Sequence, residues 1–138
     1  MTSQPLLATL LLLSACGGGI MYTSTTVHPS AAPQDAFDCA RSQLGPLGFA
    51  QSSYDVTDYR LTARKIDDKV TRPDRTFRRL LDRLIIEIHP GADGATAMKV
   101  EAHTFGEYET VRGPTEVEEP ATDGVKAAAA ALIQTCGQ

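Results

Sequence analysis

The chain has 138 residues, of which 42% are hydrophobic and 22% are charged. These proportions are ordinary for a globular domain and argue against a wholly disordered chain. The formal net charge is −4. An acidic balance argues against general binding to nucleic acid, whose phosphates attract cationic surfaces.

A short apolar run near the start of the chain, residues 6–13, is interrupted only by Thr9. It is too short to span a bilayer, which takes about 20 apolar residues, but its length fits the apolar core of a signal peptide. The run leads into Leu13-Ser14-Ala15-Cys16, with two small side chains before a cysteine. This sequence resembles the lipobox of bacterial lipoproteins.

The resemblance implies that the leader is cut before Cys16 and that the cysteine sulfur receives a diacylglycerol. Gly17 stands where that family often has an Asp that causes inner-membrane retention. The resemblance therefore implies a lipid anchor in the outer membrane, with the domain facing the periplasm or the cell surface. No Lys or Arg precedes the apolar run, which departs from the pattern. The alternative is an ordinary secretory leader with a chance cysteine.

The lipobox resemblance and the composition together predict three segments. Residues 1–15 form the signal peptide, and residues 16–32 form the lipidated cysteine and a flexible tether rich in Gly, Ser, Thr and Pro. Residues 33–138 form a single α+β domain, and about 105 residues suit one domain.

Two cysteines remain besides Cys16, at positions 39 and 136. In an oxidising compartment two such cysteines most often pair. We therefore predict a Cys39–Cys136 disulfide, which requires the two ends of the domain to lie side by side. Two buried thiols are the alternative.

A helix is predicted at each end of the domain. The first begins near Pro33, because proline is favoured at the first helical position, and stops at Gly45-Pro46. The second covers residues 122–135, where Val125, Ala129 and Leu132 fall on one apolar face.

Four strands are predicted between the helices, at residues 48–56, 59–66, 78–89 and 96–108. Residues 67–76 are predicted to form an exposed loop. Residues 111–120 are predicted to be irregular, because Gly113-Pro114 should break a strand. The predicted fold is an α+β two-layer sandwich, a four-stranded antiparallel meander with both helices on one face, in the order α-β-β-β-β-α.

Strand register follows from matching apolar faces, since a slip of one residue exposes one of them. For the last two strands, this condition predicts three apolar pairs and two pairs of opposite charge. It also turns one charged residue toward the core, which suggests a bulge or a frayed sheet edge at that position. The pairs are Ile88 with Met98, Ile86 with Val100, Leu84 with Ala102, Glu87 with Lys99, Arg79 with Glu107, and Asp82 with Thr104. In the first two strands, Tyr54 is predicted opposite Leu61 and Ser52 opposite Ala63.

A basic run is the first candidate for binding. It contains nine of the thirteen basic residues: Arg60, Arg64, Lys65, Lys69, Arg72, Arg75, Arg78, Arg79 and Arg83. Such a cluster is suited to anionic lipid head groups or lipopolysaccharide phosphates. The alternative is pairing with the glutamates downstream. Lys69, Arg72 and Arg75 lie in the loop and have the fewest predicted internal partners, so they form the candidate anionic-ligand site.

Catalytic and metal chemistry find little support in the sequence. His89 and His103 lie too far apart to share one metal ion, and Glu101 with His103 form only a pair on one face. No nucleophile elbow, zinc-protease motif or phosphate loop is present. We predict no enzyme activity, no catalytic residues, no metal, no cofactor and no small-molecule substrate.

The leading interpretation is a non-enzymatic accessory lipoprotein that acts by contact with envelope proteins. The alternative is a binding module for anionic envelope ligands that uses the basic loop. Apolar residues on the uncovered sheet face, namely Leu81, Ile85 and Phe105, give modest support for a partner.

Overall fold

The structure is a computed structural model, and it describes residues 20–138. The predicted lipobox, including Cys16, lies outside the described residues. Six strands and two helices follow in chain order: β1 (Thr23–Val27), α1 (Pro33–Leu44), β2 (Ala50–Asp55), β3 (Arg60–Asp67), β4 (Phe77–Pro90), β5 (Thr96–Thr110), β6 (Gly113–Glu119) and α2 (Asp123–Cys136).

One antiparallel sheet contains all six of these strands, in the order β1-β5-β4-β3-β2, with β6 also paired to β5. Strand β1 pairs with residues 98–102 of β5 and β6 with residues 104–110, so the two lie end to end along one edge of β5. The prediction of a four-stranded meander in the order α-β-β-β-β-α is therefore wrong. The fold is mostly β, with two helices.

The predicted register of β4 and β5 is confirmed at every pair. The matched apolar faces determine this register, because Leu84, Ile86 and Ile88 are all buried in the core and a slip of one residue would expose them. Asp82 points inward opposite Thr104, as predicted, but the bulge or frayed edge predicted there is wrong, since the pairing at Asp82 is regular and the irregularity falls between Phe77 and Arg79. Asp82 is accommodated because its carboxylate accepts hydrogen bonds from the hydroxyls of Thr104 and Thr122, at 2.6 and 3.0 Å.

The register of β2 and β3 follows the prediction only near the turn. Tyr54 lies opposite Leu61, as predicted, but Ala63 lies opposite Gln51 because a bulge removes Ser52 from the pairing. The Ser52 hydroxyl donates to the carbonyl of Thr62 instead. Every residue of β2 is exposed, so no apolar face holds this edge strand to one register.

Both helices pack on the same face of the sheet. Helix α1 buries Phe37 and Leu44 against it, and α2 buries Val125 and Leu132. The alanines of α2 allow the helix to approach the sheet closely. At the start of α2 the Thr122 side chain accepts a hydrogen bond from the Val125 amide at 3.2 Å, which caps a free donor of the first turn.

The disulfide joins the two helices. The sulfur atoms of Cys39 and Cys136 lie 2.01 Å apart, across 97 residues of sequence. The Ser30 amide also donates to the carbonyl of Gln138 at 2.9 Å. The two ends of the domain therefore lie side by side.

Strand β1 lies in the segment predicted as a flexible tether. Its five residues pair with β5, and just before it the Ala121 amide donates to the carbonyl of Met21 at 2.7 Å. The folded part of the protein therefore begins before residue 33, where the sequence placed its start.

Candidate functional site: the charged sheet face and the basic loop

The sheet face opposite the helices carries a continuous series of ion pairs and hydrogen bonds between titratable side chains, and this series crosses four strands. It begins on β3, passes through β4 and β5 and ends on β6, and its six members are Arg60, Glu87, Lys99, Glu101, His103 and Glu118. We call it the outer ion-pair chain. The successive nitrogen–oxygen distances along it are 2.6, 2.9, 3.1, 3.2 and 2.7 Å.

Strand pairing accounts for the arrangement. In β5 the charged residues Lys99, Glu101 and His103 alternate with buried core residues, so they point away from the helices. Glu87 of β4 lies opposite Lys99 on one side and opposite Arg60 on the other. Opposite charges placed directly across strands favour this register by about 0.2–1 kcal/mol for each pair.

Hydrogen bonding stabilises the charged forms in the middle of the chain. Bonds to Glu87 and then Glu101 raise the pKa of the Lys99 ammonium above its ordinary value. Burial raises the pKa of the Glu101 carboxyl. Hydrogen bonds from His103 and Lys99 outweigh that effect, so the pKa of Glu101 lies below its ordinary value.

His103 lies at the point where β5, β6 and the N-terminal segment meet. Its side chain is only 12% exposed, with Nδ1 at 2.7 Å from Glu118 and Nε2 at 3.2 Å from Glu101. Each ring nitrogen is therefore within hydrogen-bond distance of a carboxylate oxygen. The ring of Tyr22 stacks on the imidazole at 4.5 Å.

The apolar side chains predicted on this face are partly covered by the charged ones. Leu81 is buried there, and the guanidinium of Arg83 stacks 4.5 Å from the ring centre of Phe105. Arg83 also pairs with Glu116 of β6 at 2.9 Å. Long charged side chains thus cover much of the apolar surface on this face.

The three predicted ligand-binding residues of the basic loop, residues 68–76, differ in their surroundings. Lys69 and Arg75 are exposed to solvent, whereas Arg72 is partly buried. Arg72 turns back onto the sheet, where its guanidinium forms a bidentate pair with Glu119 of β6, with Nη2–Oε2 at 2.6 Å. It also donates to the Tyr108 hydroxyl at 2.8 Å and stacks 4.5 Å from the ring centre of Phe77. Arg72 is therefore bound within the domain.

The Arg72–Glu119 pair shifts the pKa of both groups. The hydrogen bond to Glu119 raises the pKa of the Arg72 guanidinium above its ordinary value. The hydrogen bond from Arg72 lowers the pKa of the Glu119 carboxyl by more than burial raises it.

Most of the basic run is paired with glutamates. Five of its nine residues form ion pairs in the described part of the chain, namely Arg60, Arg72, Arg78, Arg79 and Arg83. Arg64, Lys65, Lys69 and Arg75 form none there. Of these, Lys65 and Lys69 line a cleft of about 450 Å³ beside Asp82 and the start of α2.

The sequence counted Glu119 among the glutamates that could pair with the basic run but did not assign it to Arg72, and it missed Tyr108 as a further partner of Arg72. Glu119 lies in β6, which the sequence predicted to be irregular, and Tyr108 lies at the end of β5. The excess of acidic residues after position 100 was the sequence signal for Glu119, and no such signal pointed to Tyr108.

No protein-family model matches this chain, and a search of curated proteins finds no match. Between Ile20 and Gln138, neither helix is long and apolar enough to cross a membrane. Over the same residues, no three His, Cys, Asp or Glu side chains are grouped to hold a metal ion.

Proposed function

We propose that this chain is a lipoprotein of the bacterial outer membrane, held by acyl chains on Cys16, whose domain acts without catalysis by contact with envelope proteins. One structural observation supports it most. Cys39 and Cys136 are joined in a disulfide, a bond that persists in oxidising compartments such as the periplasm. Of the three cysteines in the sequence, Cys16 then has no thiol partner in the chain.

The energetics of the anchor are consistent with this proposal. Burial of each acyl CH₂ contributes about 0.8 kcal/mol, and stable anchoring takes at least two chains. A diacylglycerol on Cys16, with a further acyl chain on the new amino terminus, meets that requirement without a transmembrane helix.

The titratable residues of the sheet support a non-catalytic role. The outer ion-pair chain is bonded internally, and His103 has a carboxylate at each ring nitrogen. A catalytic base needs a ring nitrogen free to face its substrate. We therefore interpret this face as a structural network.

Acyl labelling tests the proposal. The full-length chain is produced in a Gram-negative host with a clickable palmitate analogue, beside Cys16→Ser and the matched double variant Cys39→Ser/Cys136→Ser. We expect label and outer-membrane fractionation for the wild type and the double variant, and neither for Cys16→Ser. Label that is absent from the wild type, or that survives Cys16→Ser, contradicts the proposal.

Cross-linking tests the contact role. Photo-reactive residues on the exposed surface of the membrane-bound protein should capture an envelope protein reproducibly. Capture of no envelope protein would count against a role by contact.

A second candidate function is the binding of anionic envelope ligands, favoured by the exposed Lys69 and Arg75, which have no ion pair in the described residues. We expect Lys69→Ala/Arg75→Ala to weaken salt-sensitive binding to lipopolysaccharide. Arg72 is held by Glu119, and a ligand that used it would have to displace that carboxylate. Unchanged binding by the double variant contradicts this candidate.

A further inference from the structure

The first described residues form an exposed apolar cluster. Ile20, Met21 and Tyr22 are consecutive, and they are 84, 45 and 41% exposed. With Glu118 they line a shallow groove of about 660 Å³. We call these three residues the N-terminal apolar patch. Apolar surface left in water is unfavourable by about 25 cal/mol for each Å², so a surface that covers this patch would be favoured.

Two residues of the patch, Met21 and Tyr22, are held against the domain by contacts that leave the patch exposed. The Met21 carbonyl accepts a hydrogen bond from the Ala121 amide at 2.7 Å, and the Tyr22 ring stacks on His103. Strand β1 follows at once and is paired along its whole length with β5. Burial of the patch within the same domain would break these contacts.

The covalent distance to Cys16 indicates what covers it. Only Gly17, Gly18 and Gly19 separate Cys16 from Ile20. Consecutive Cα atoms are 3.8 Å apart, so the two Cα atoms lie within about 15 Å of each other. A sulfur that carries membrane-buried acyl chains therefore holds the patch within reach of the lipid head groups.

We propose that the N-terminal apolar patch inserts into the interfacial layer of the membrane that holds Cys16, so that the domain lies against the leaflet at the junction of β1 and β6. This inference rests on the proposed lipidation. Tyrosine suits this layer because its ring is apolar and its hydroxyl is polar. Glu118 lies beside the patch, and its carboxylate is within hydrogen-bond distance of His103 Nδ1, at 2.7 Å, so it is not left without a partner at this surface.

The absence of tryptophan from the sequence allows a direct test. Ile20→Trp and Val111→Trp each introduce a single fluorophore. Val111 is a matched control because it is fully exposed, at 105%, in the turn between β5 and β6. Val111 lies eight residues after His103 along the chain. At the rise of an antiparallel strand, eight residues span about 27 Å. Each acylated mature variant is placed in vesicles with and without brominated lipids, which quench tryptophan at the membrane.

We expect the Ile20→Trp variant to shift its emission to the blue and to lose most of it to brominated lipid. The Val111→Trp variant should keep both its emission maximum and its intensity. Equal, weak quenching of both variants on vesicle-bound acylated protein overturns this inference alone. A blue shift of Ile20→Trp without lipid, accompanied by dimerisation, also overturns it, because a second copy then covers the patch. An unacylated chain that stays off the vesicles overturns the proposed function as well, and its mass identifies that case.

Discussion

Gly106 lies directly beneath the carboxylate of Glu119. A methyl group at Gly106 would be 2.5 Å from Glu119 Oε1 and 2.8 Å from Cε2 of Tyr108. Real side chains do not approach so closely, so the absence of a side chain at this position of β5 leaves room for the carboxylate. Glu119 can then meet Arg72, and that contact ties the basic loop to the sheet.

Gly106→Ala should therefore destabilise the protein by about 1–3 kcal/mol, the usual cost of overpacking a filled space. Gly124→Ala in α2 is the matched control. Its added methyl would meet nothing closer than 3.7 Å, and alanine there should stabilise by about 0.4–1 kcal/mol. Urea unfolding of both variants measures the difference. Equal stability of the two would show that Glu119 does not depend on the space at Gly106.

Replacement of the three loop cations should separate Arg72 from the other two. Arg72→Ala should lower the free energy of unfolding by about 1–3 kcal/mol, because it removes charge-assisted hydrogen bonds and leaves Glu119 unpaired. Lys69→Ala and Arg75→Ala should each change it by less than about 0.5 kcal/mol, as exposed substitutions do. Thermal unfolding at equal salt measures this. An Arg72→Ala variant as stable as the other two would contradict the internal role of Arg72.

Acid should destabilise the domain in a definite range. The pKa of Glu119 is held below its ordinary value of 4.5 mainly by Arg72, and the pKa of Glu101 is lowered in the same direction. A carboxyl whose pKa is lower in the folded state stabilises that state above its unfolded pKa. This stabilisation is lost as pH falls through the folded pKa.

We therefore expect the free energy of unfolding to decrease as pH falls below about 4.5, the ordinary pKa of these carboxyls. Glu119→Gln should be less stable at neutral pH and should lose less stability on acidification. Urea titrations from pH 7 to lower pH provide the comparison. Identical acid dependence of wild type and variant would exclude Glu119 as a source of the effect.

Loss of the disulfide should be the largest single change in stability. Cys39→Ser/Cys136→Ser removes a link across 97 residues, worth about 4–5 kcal/mol in the chain-entropy model. The expected result is a large fall in the urea midpoint for the double variant, and the same fall for the wild type under reductant. A midpoint unchanged by reductant would mean that the two thiols are not joined in the protein.

The sequence contained enough information to place β4 and β5 correctly. Their apolar faces had to coincide, and that condition alone set Glu87 opposite Lys99 and Arg79 opposite Glu107, as found. The edge strands have no continuous apolar face, so no such match could fix their positions. In β1 the three central residues are exposed, so its sequence lacks an apolar alternation and is similar in composition to a linker.

Strand β6 was missed for a different reason. Pro114 is tolerated in it because β6 is an edge strand, where the missing amide costs no ladder hydrogen bond on the open side. Without β6, Glu119 had no predicted position in the sheet, so the sequence could not assign it to Arg72 among the glutamates available for pairing. The grouping of Arg72 with Lys69 and Arg75 as ligand-binding residues followed from that one omission.

The central claim, that acyl chains on Cys16 hold this domain to the membrane, is tested most directly by the intact mass of the mature protein purified from membranes. The account predicts a chain that begins at Cys16 and carries a diacylglycerol and a further acyl group. A mature chain with a bare Cys16 thiol, or one that retains residues 1–15, would contradict it.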